Sequence, residues 1–374
     1  VRKLYKFRFY PTAAQEEYFR NVFGSTRWVY NKILTWRYSI WETEKRFVGF
    51  AEASRKLTEL RSMLENAWLA EIPYMPLQQA VRDQDKAYTN FFKRRAKKPT
   101  FRTKRDTQTI RYCGGAFYCK KGIVRVAKLK QPLKVKWSRE LPSTPTSVHV
   151  TKEASGRYYI TFTCEVHEKR LPDHNTKIGI DVGITTYASL STGEKVDNPR
   201  HLIASERKLK KLQKKLSRQK KGSSNHSKTR ARLAKIHAKI RDSRCDFIHK
   251  LTRRIVNENQ VICIESLRIS SMVKNHKLAK HIQDATWGTF VVLLTQKAKE
   301  AGRQLYKIGQ YEPSSKKCHV CGSVMKTLPL SVRMWDCPSC QTRHDRDTNA
   351  ALNILHIGLP WANAERFKAG LPAL

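Results

Sequence analysis

Two sets of residues in this 374-residue chain have types and spacings that could do chemistry. The first is cysteine. Cys318-His-Val-Cys321 and Cys337-Pro-Ser-Cys340 form the pattern C-x₂-C-x₁₅-C-x₂-C. That spacing suits a closed, four-thiolate Zn²⁺ site of ribbon type, which leaves no open position for substrate. Such a metal is expected to fold its segment rather than to catalyse. His319 and His344 lie nearby in sequence but are not needed as ligands. The second set is acidic. Asp181 interrupts the apolar run KIGIDVGIT (177–185), Glu265 ends the apolar run VICIE (261–265), and Asp347 opens a helix-like stretch within HDRDTNAALNI (344–354). A carboxylate in an apolar strand is costly unless it is paired or holds a cation. Three acids meeting at strand ends and a helix N-terminus would make a hard, oxygen-rich site suited to Mg²⁺ or Mn²⁺. Two such ions, roughly 3.5–4 Å apart, can activate water and stabilise the leaving oxygen in phosphodiester hydrolysis. Taken singly, each acid also has a plainer reading as a surface carboxylate or helix cap, and Asp345 could cap the last helix as well as Asp347.

Composition bounds the partner. Lys+Arg number 74 against 31 Asp+Glu, a formal net charge of +43. A globular chain of that charge points to a polyanion, and to nucleic acid before membrane, because no basic helix shows a strongly apolar opposite face. No apolar run is long enough to span a bilayer and no secretory signal is evident, so a cytoplasmic, nucleoid-associated protein is expected. Nine cysteines, four of them clustered, fit a reducing compartment. Cys113 and Cys119 are expected to form no site, and Cys164, Cys245 and Cys263 read as buried thiols. P-loop, G-x-S-x-G and H-E-x-x-H patterns are absent, and Gly179 and Gly183 make no dinucleotide fingerprint.

The elements that must position these residues can be sketched from periodicity. At ~150 residues per domain the length suggests two or three domains. Residues 1–11 alternate like a strand, and Thr12-Ala-Ala-Gln15 is a capping box. Helical spacing runs on to about Arg95, restarting at Gly24-Ser25-Thr26 and interrupted at Pro73 and Pro76. Most of its recurrent aromatics, a set that includes Trp41, Trp68 and Phe92, read as core. Residues 99–172 form a basic, mainly β module that the first strand could join, the helices being an insertion. Strands are expected at 122–126, 133–137, 147–151 and 158–164, with Ala154–Arg157 as a hairpin loop and Leu171–Asn175 as a linker. From Lys177 the order is strand, hairpin, long helices, strand, helix, strand. Between Arg207 and Arg254 stand nineteen Lys/Arg and two acids, Asp242 and Asp246. Apolar seams (Leu209, Leu212, Leu216; Leu233, Ile236, Ile240) mark a helical hairpin turning at Lys221–Ser227. Its one-sided charge, including Lys214, Lys215, Arg218, Lys220 and Lys221, suits contact with a phosphate backbone.

In this order the motifs resemble the transposon-associated TnpB family. KIGIDVGIT, VICIESL, the cysteine ribbon and HDRDTNAALNI carry the resemblance, with YKFRFYPTAAQ, GSTRWVYN, DKAYTNFFKR and DATWGTF beside them, from about residue 4 to about residue 355. The resemblance implies an RNA-guided DNA endonuclease, similar to compact type V CRISPR effectors. Its partners would be a guide RNA made from the transposon end and duplex DNA carrying a short adjacent motif. The implied architecture is α+β and multidomain. A RuvC-like, RNase H-type nuclease domain (176–374) carries the zinc ribbon at about 315–343, and a β-barrel-like wedge module (1–11 and 99–172) carries a helical recognition insertion (12–98). The catalytic positions would be Asp181, Glu265 and Asp347, with Mg²⁺ or Mn²⁺, and the zinc ligands Cys318, Cys321, Cys337 and Cys340. Gln78 and Arg82 become candidates for DNA contact, and a monomer is the expected unit. Base pairing would read sequence while the protein grips backbone, as the charge suggests. Competing readings are a regulator that binds DNA without cutting it, a DNA transposase, and a non-specific RNA-binding protein.

Overall fold

The structure, a computed structural model, describes residues 1–167, 170–173 and 175–368. It divides into two compact units, Val1–His167 and Glu168–Leu374.

In the first unit, strand β1 (Arg2–Phe9) leads into helix α1 (Ala13–Glu44). Thr12 accepts from Gln15 N–H and the Gln15 side chain accepts from Thr12 N–H, the reciprocal box that the sequence promises. The expected restart at Gly24-Ser25-Thr26 does not occur. α1 runs through it because Val22, Phe23 and Val29 on either side are buried in the core, and the Ser25 and Thr26 hydroxyls turn back onto the carbonyls of Asn21 and Val22 instead of capping a new helix. After α2 (Phe50–Ser62), Pro73 caps α3 (Tyr74–Phe92), and Pro76 sits in its first turn, where a missing N–H costs nothing. Strands β2 (Gln108–Cys113), β3 (Phe117–Lys120), β4 (Ile123–Val126), β5 (Val135–Lys136), β6 (Ser147–Lys152) and β7 (Tyr158–Glu165) follow. Sequence reading missed β2 and β3, short alternating runs separated only by Gly114-Gly115-Ala116. β1 pairs with β7 and β5 in an antiparallel sheet of order β2-β6-β7-β1-β5, so α1–α3 are an excursion between β1 and β2. Phe9, Phe19, Tyr158 and Phe162 fill the core under this sheet. Not all of the aromatics are core: Trp41, Trp68 and Phe92 are exposed.

In the second unit, β8 (Lys177–Val182), β9 (Thr186–Leu190) and β10 (Lys195–Asp197) form a meander. Helices α4 (His201–Ser217) and α5 (Ser224–Glu258) then lead to β11 (Val261–Glu265). The turn between them comes earlier than its sequence suggests, because Ser223 accepts from His226 N–H and makes Ser224–Ser227 the first turn of α5. Short α6 (Ile269–Met272), α7 (His276–Ala285) and α8 (Trp287–Ala301) precede β12 (Gln304–Ile308). A hairpin, β13 (Met334–Asp336) and β14 (Arg343–Asp345), leads into α9 (Arg346–Lys368). The sheet order is β10-β9-β8-β11-β12, with β8, β11 and β12 parallel and the other pairs antiparallel. Ile178, Ile180, Ile262 and Ile264 face α5 and α8, while Val261 and Cys263 face α9. Two residues expected in a linker are tied into this unit. Leu171 N–H donates to Ala301 O, and Arg303 donates to Pro172 O; His174 lies outside the described residues. Cys245, expected buried, is half-buried on α5. Among the described residues no helix is long and apolar enough to cross a membrane.

Candidate functional site

Alternation along a strand decides where the acids go. Residues two apart share a face, so Asp181 shares the face of Gly179, and Glu265 that of Val261 and Cys263. That face is covered by α9. β8 and β11 are parallel with Ile180 opposite Ile264, which brings Asp181 and Glu265 together at the carboxyl ends of adjacent strands. Asp347, in the first turn of α9, joins them.

α9 can lie this close only because of small residues. A Cβ on Gly179 would stand 2.0 Å from the Ala351 carbonyl oxygen, and one on Gly358 would stand 2.4 Å from Cys263 Sγ. Each side thus gives up a side chain where the other's atoms pass, and Ala350 and Ala351 are fully buried at the seam.

Burial pushes the Asp181 carboxyl up to about 8, and the nearby charges of Asp347 and Glu265 add to the rise, against a smaller opposing effect of Arg346. Burial raises Glu265 as well. The capping explanation of Asp347 fails, because Asp345 accepts from Thr348 N–H at 3.0 Å and pairs with Lys195 at 2.7 Å. That leaves Asp347 free of the cap, and its carboxylate pairs instead with Arg333 at 3.2 Å. The three carboxylates are gathered but not closed into a cage.

The cysteines are closed. Among the described residues, Cys318, Cys321, Cys337 and Cys340 are the one group whose potential metal-ligand atoms all lie within 4.8 Å of each other. Cys318 and Cys340 Sγ are 3.7 Å apart, and Cys321 and Cys337 3.6 Å. Each C-x₂-C pair sits on a tight turn: Gly322 N–H donates to Cys318 O, and Gln341 N–H to Cys337 O. The residue after each second cysteine is left-handed, Gly322 at φ 77° and Gln341 at φ 56°. This cluster could hold a metal ion.

The sequence motif around Asp347 has further work that residue types alone do not reveal. Asn349 donates to Lys317 O and accepts from His319 N–H, while Asn353 donates to Ser314 O and Lys317 O. Arg346 donates to Pro329 O at 2.6 Å, and His344 Nε2 lies 3.0 Å from Cys318 Sγ. The ribbon is thereby stapled to the helix that carries the third acid. Polar residues spaced along one face of a helix were the available signal; their partners, about 15 to 40 positions upstream, were not.

The basic residues fall elsewhere. Lys214, Lys215, Arg218, Lys220 and Lys221 are exposed at the end of α4 and the turn beyond it, and none forms an ion pair among the described residues. Gln78 is half-buried on α3, and Arg82 is exposed with its guanidinium 4.6 Å over the Phe50 ring.

Comparison with known proteins adds kinship to this geometry. Three family models match: "Probable transposase" over residues 161–276, "Cas12f1-like, TNB domain" over 287–354, and "Helix-turn-helix domain" over 1–46. Residues 1–46 here hold β1 and the single helix α1 rather than two helices. A Streptomyces pristinaespiralis protein named "Putative RNA-guided DNA endonuclease" is 42% identical over 96% of this chain and 90% of its own length. An Escherichia coli protein, "Putative RNA-guided DNA endonuclease InsQ", is 28% identical over 95% of this chain and 92% of its own. A solved Cas12f1–sgRNA–target DNA complex aligns over 95% of this chain and 99% of its own at 17% identity with a TM-score of 0.37, too distant to bear on the site.

Proposed function

We propose a function from one premise: the chain belongs to the TnpB family of transposon-associated RNA-guided DNA endonucleases. On this reading it is a nuclease that cuts target DNA specified by a bound guide RNA. Residues 176–374 act as a RuvC-like, RNase H-type nuclease domain with a zinc ribbon at about 315–343. Residues 1–11 and 99–172 act as a wedge, and 12–98 as a recognition domain, in which Gln78 and Arg82 contact target DNA beside the adjacent motif.

The observation that carries the reading is the gathering of Asp181, Glu265 and Asp347, from three distant segments, on the α9 face at the carboxyl ends of two parallel strands. A carboxyl lifted to about 8 is a poor resident of that place unless a cation joins it, so the donor set fits Mg²⁺ or Mn²⁺. When bound, two such ions supply an activated water and charge stabilisation at the leaving oxygen. The chain's own part is to aim three carboxylates at one point and to keep Arg333 beside Asp347, where it can balance negative charge before the ions and the phosphate arrive. The sulfur spacings of 3.6 and 3.7 Å fit a zinc tetrathiolate, whose ~2.3 Å bonds put sulfurs about 3.8 Å apart. The unpaired lysines at the end of α4 suit the phosphate backbone of guide RNA or heteroduplex.

The test is purification with co-expressed RNA, then incubation with matched duplex DNA and Mg²⁺. RNA-directed cleavage that Asp181→Ala abolishes, with target binding retained, supports the reading. Binding by the parent chain without cleavage under any divalent ion would make it an RNA-guided regulator instead.

A further inference from the structure

The first unit holds a cavity that nothing above uses. It has a volume of about 160 Å³ and lies between the C-terminal ends of α1 and α3. That is about half of what the smallest drug-sized ligands need, room for one flat ring system. Its walls are aromatic. Trp41, Phe47 and Phe92 are 49%, 43% and 56% exposed, although burying such rings is strongly favourable. Phe47 packs edge-on against Phe92 at 5.1 Å and against Tyr88 at 5.3 Å.

The floor is cationic. Arg37 is 3% exposed, and its Nη2 makes two long contacts, to Asp85 and to Gly49 O, both at 3.4 Å. Its Nε and Nη1 are buried without a hydrogen-bond partner. The guanidinium lies 5.2 Å from the Tyr88 ring and 5.6 Å from the Phe47 ring, so its charge sits behind the aromatic lining of the cavity. The rim is cationic too. Lys98 lines the cavity with its Nζ 4.3 Å over the Tyr38 ring, and it ends the exposed run Lys93-Arg-Arg-Ala-Lys-Lys98. None of those five basic residues forms an ion pair among the described residues.

Aromatic faces for stacking beside unpaired cations for phosphates are what a single-stranded nucleic acid needs. We propose that this cavity takes one unstacked base of the guide RNA, stacked on its aromatic walls, with the flanking phosphates along Lys93–Lys98. The choice of RNA rests on the guide-RNA reading above: the target enters as duplex and pairs with the guide, whereas a guide has loops whose bases are free to splay.

Ultraviolet cross-linking of the protein with its co-expressed RNA, read by mass spectrometry, tests this. Cross-links at Trp41, Phe47 or Phe92 to one discrete ribonucleotide are expected. Phe92→Ala should weaken RNA binding about 10-fold, the worth of one stacked base, and Phe92→Tyr should restore it. Both variants alter an exposed ring, and unchanged thermal melting would show the fold intact. Cross-links only to a displaced DNA strand, cavity occupancy by an apolar peptide, or full RNA affinity in Phe92→Ala would each overturn the proposal. Oligouridylate added to nuclease-stripped protein separates the two readings. A discrete guide that cross-links elsewhere, with oligouridylate also avoiding the cavity, sinks the cavity and leaves the guide reading standing. Oligouridylate at Phe92 with no co-purifying guide sinks the guide reading and keeps a single-stranded RNA site.

Discussion

The four thiols and the three carboxylates sit at opposite ends of the same hydrogen-bonded staple, yet they are built differently. The thiols come from two tight turns, each placing its own pair within four residues, and the turns pack together with Cys321 and Cys337 Sγ 3.6 Å apart and Cys318 and Cys340 Sγ 3.7 Å apart. The carboxylates come from two strands and a helix: the β8–β11 pairing brings Asp181 beside Glu265, and Asp347 reaches them only through the packing of α9 on that sheet. The carboxylates meet at a cost: burial first, and then the nearby charges of Asp347 and Glu265, raise the Asp181 carboxyl. A closed site can therefore be a structural one. An open, mutually repelling one stores a demand for cations, which suits chemistry.

Breaking each cluster should separate these roles. The largest effect belongs to Asp181→Ala, which should lower RNA-directed cleavage by at least about 1,000-fold in a gel assay while leaving RNA binding and zinc content unchanged. Cys337→Ser should do the converse first: elemental analysis should find zinc falling from near one per chain, with local protease sensitivity around the ribbon, and cleavage lost as a consequence. Full zinc content and unaltered proteolysis in that variant would remove the distinction. Gly179→Ala attacks the packing between them. Its methyl would meet the Ala351 carbonyl, so a loss of about 1–3 kcal/mol in denaturant unfolding is expected, together with reduced cleavage.

The last effect is on pH. The Asp181 carboxyl lies near 3.8 when unperturbed and is raised to about 8 in the fold. The folded chain thus binds the extra proton within that window, so in chelator its stability should fall as pH rises from about 4 to about 8. Asp181→Asn should flatten this slope in thermal melts, and added Mg²⁺ should stabilise the parent more at pH 8 than at pH 6. Identical profiles for parent and variant would mean that Asp181 is not held as described.

Much of this was readable along the chain. The capping box at Thr12, the β6–β7 hairpin, the strand order from Lys177 and the cysteine pairs are signals within a few residues, where covalent proximity makes type and spacing sufficient. The errors are equally local in cause. Gly24 reads as a break because glycine is a poor helix former, but the burial of its neighbours Val22, Phe23, Thr26 and Val29 in the core outweighs that preference. Most of the region's aromatics read as core, yet Trp41, Trp68 and Phe92 are exposed, because helical spacing cannot say which face lacks a neighbour.

What the sequence determined by itself was inventory: which acids interrupt apolar runs, which thiols pair at metal spacing, and a +43 charge that demands a polyanion. What only the tertiary structure decided was the company each residue keeps. Asp345 takes the cap and leaves Asp347 to the acids, Asn349 and Asn353 hold the ribbon, and two glycines let a helix close on a sheet. The physical reason is that contact between segments as far apart in sequence as Gly179 and Leu355 depends on shape and register. Those properties arise only when the chain has folded.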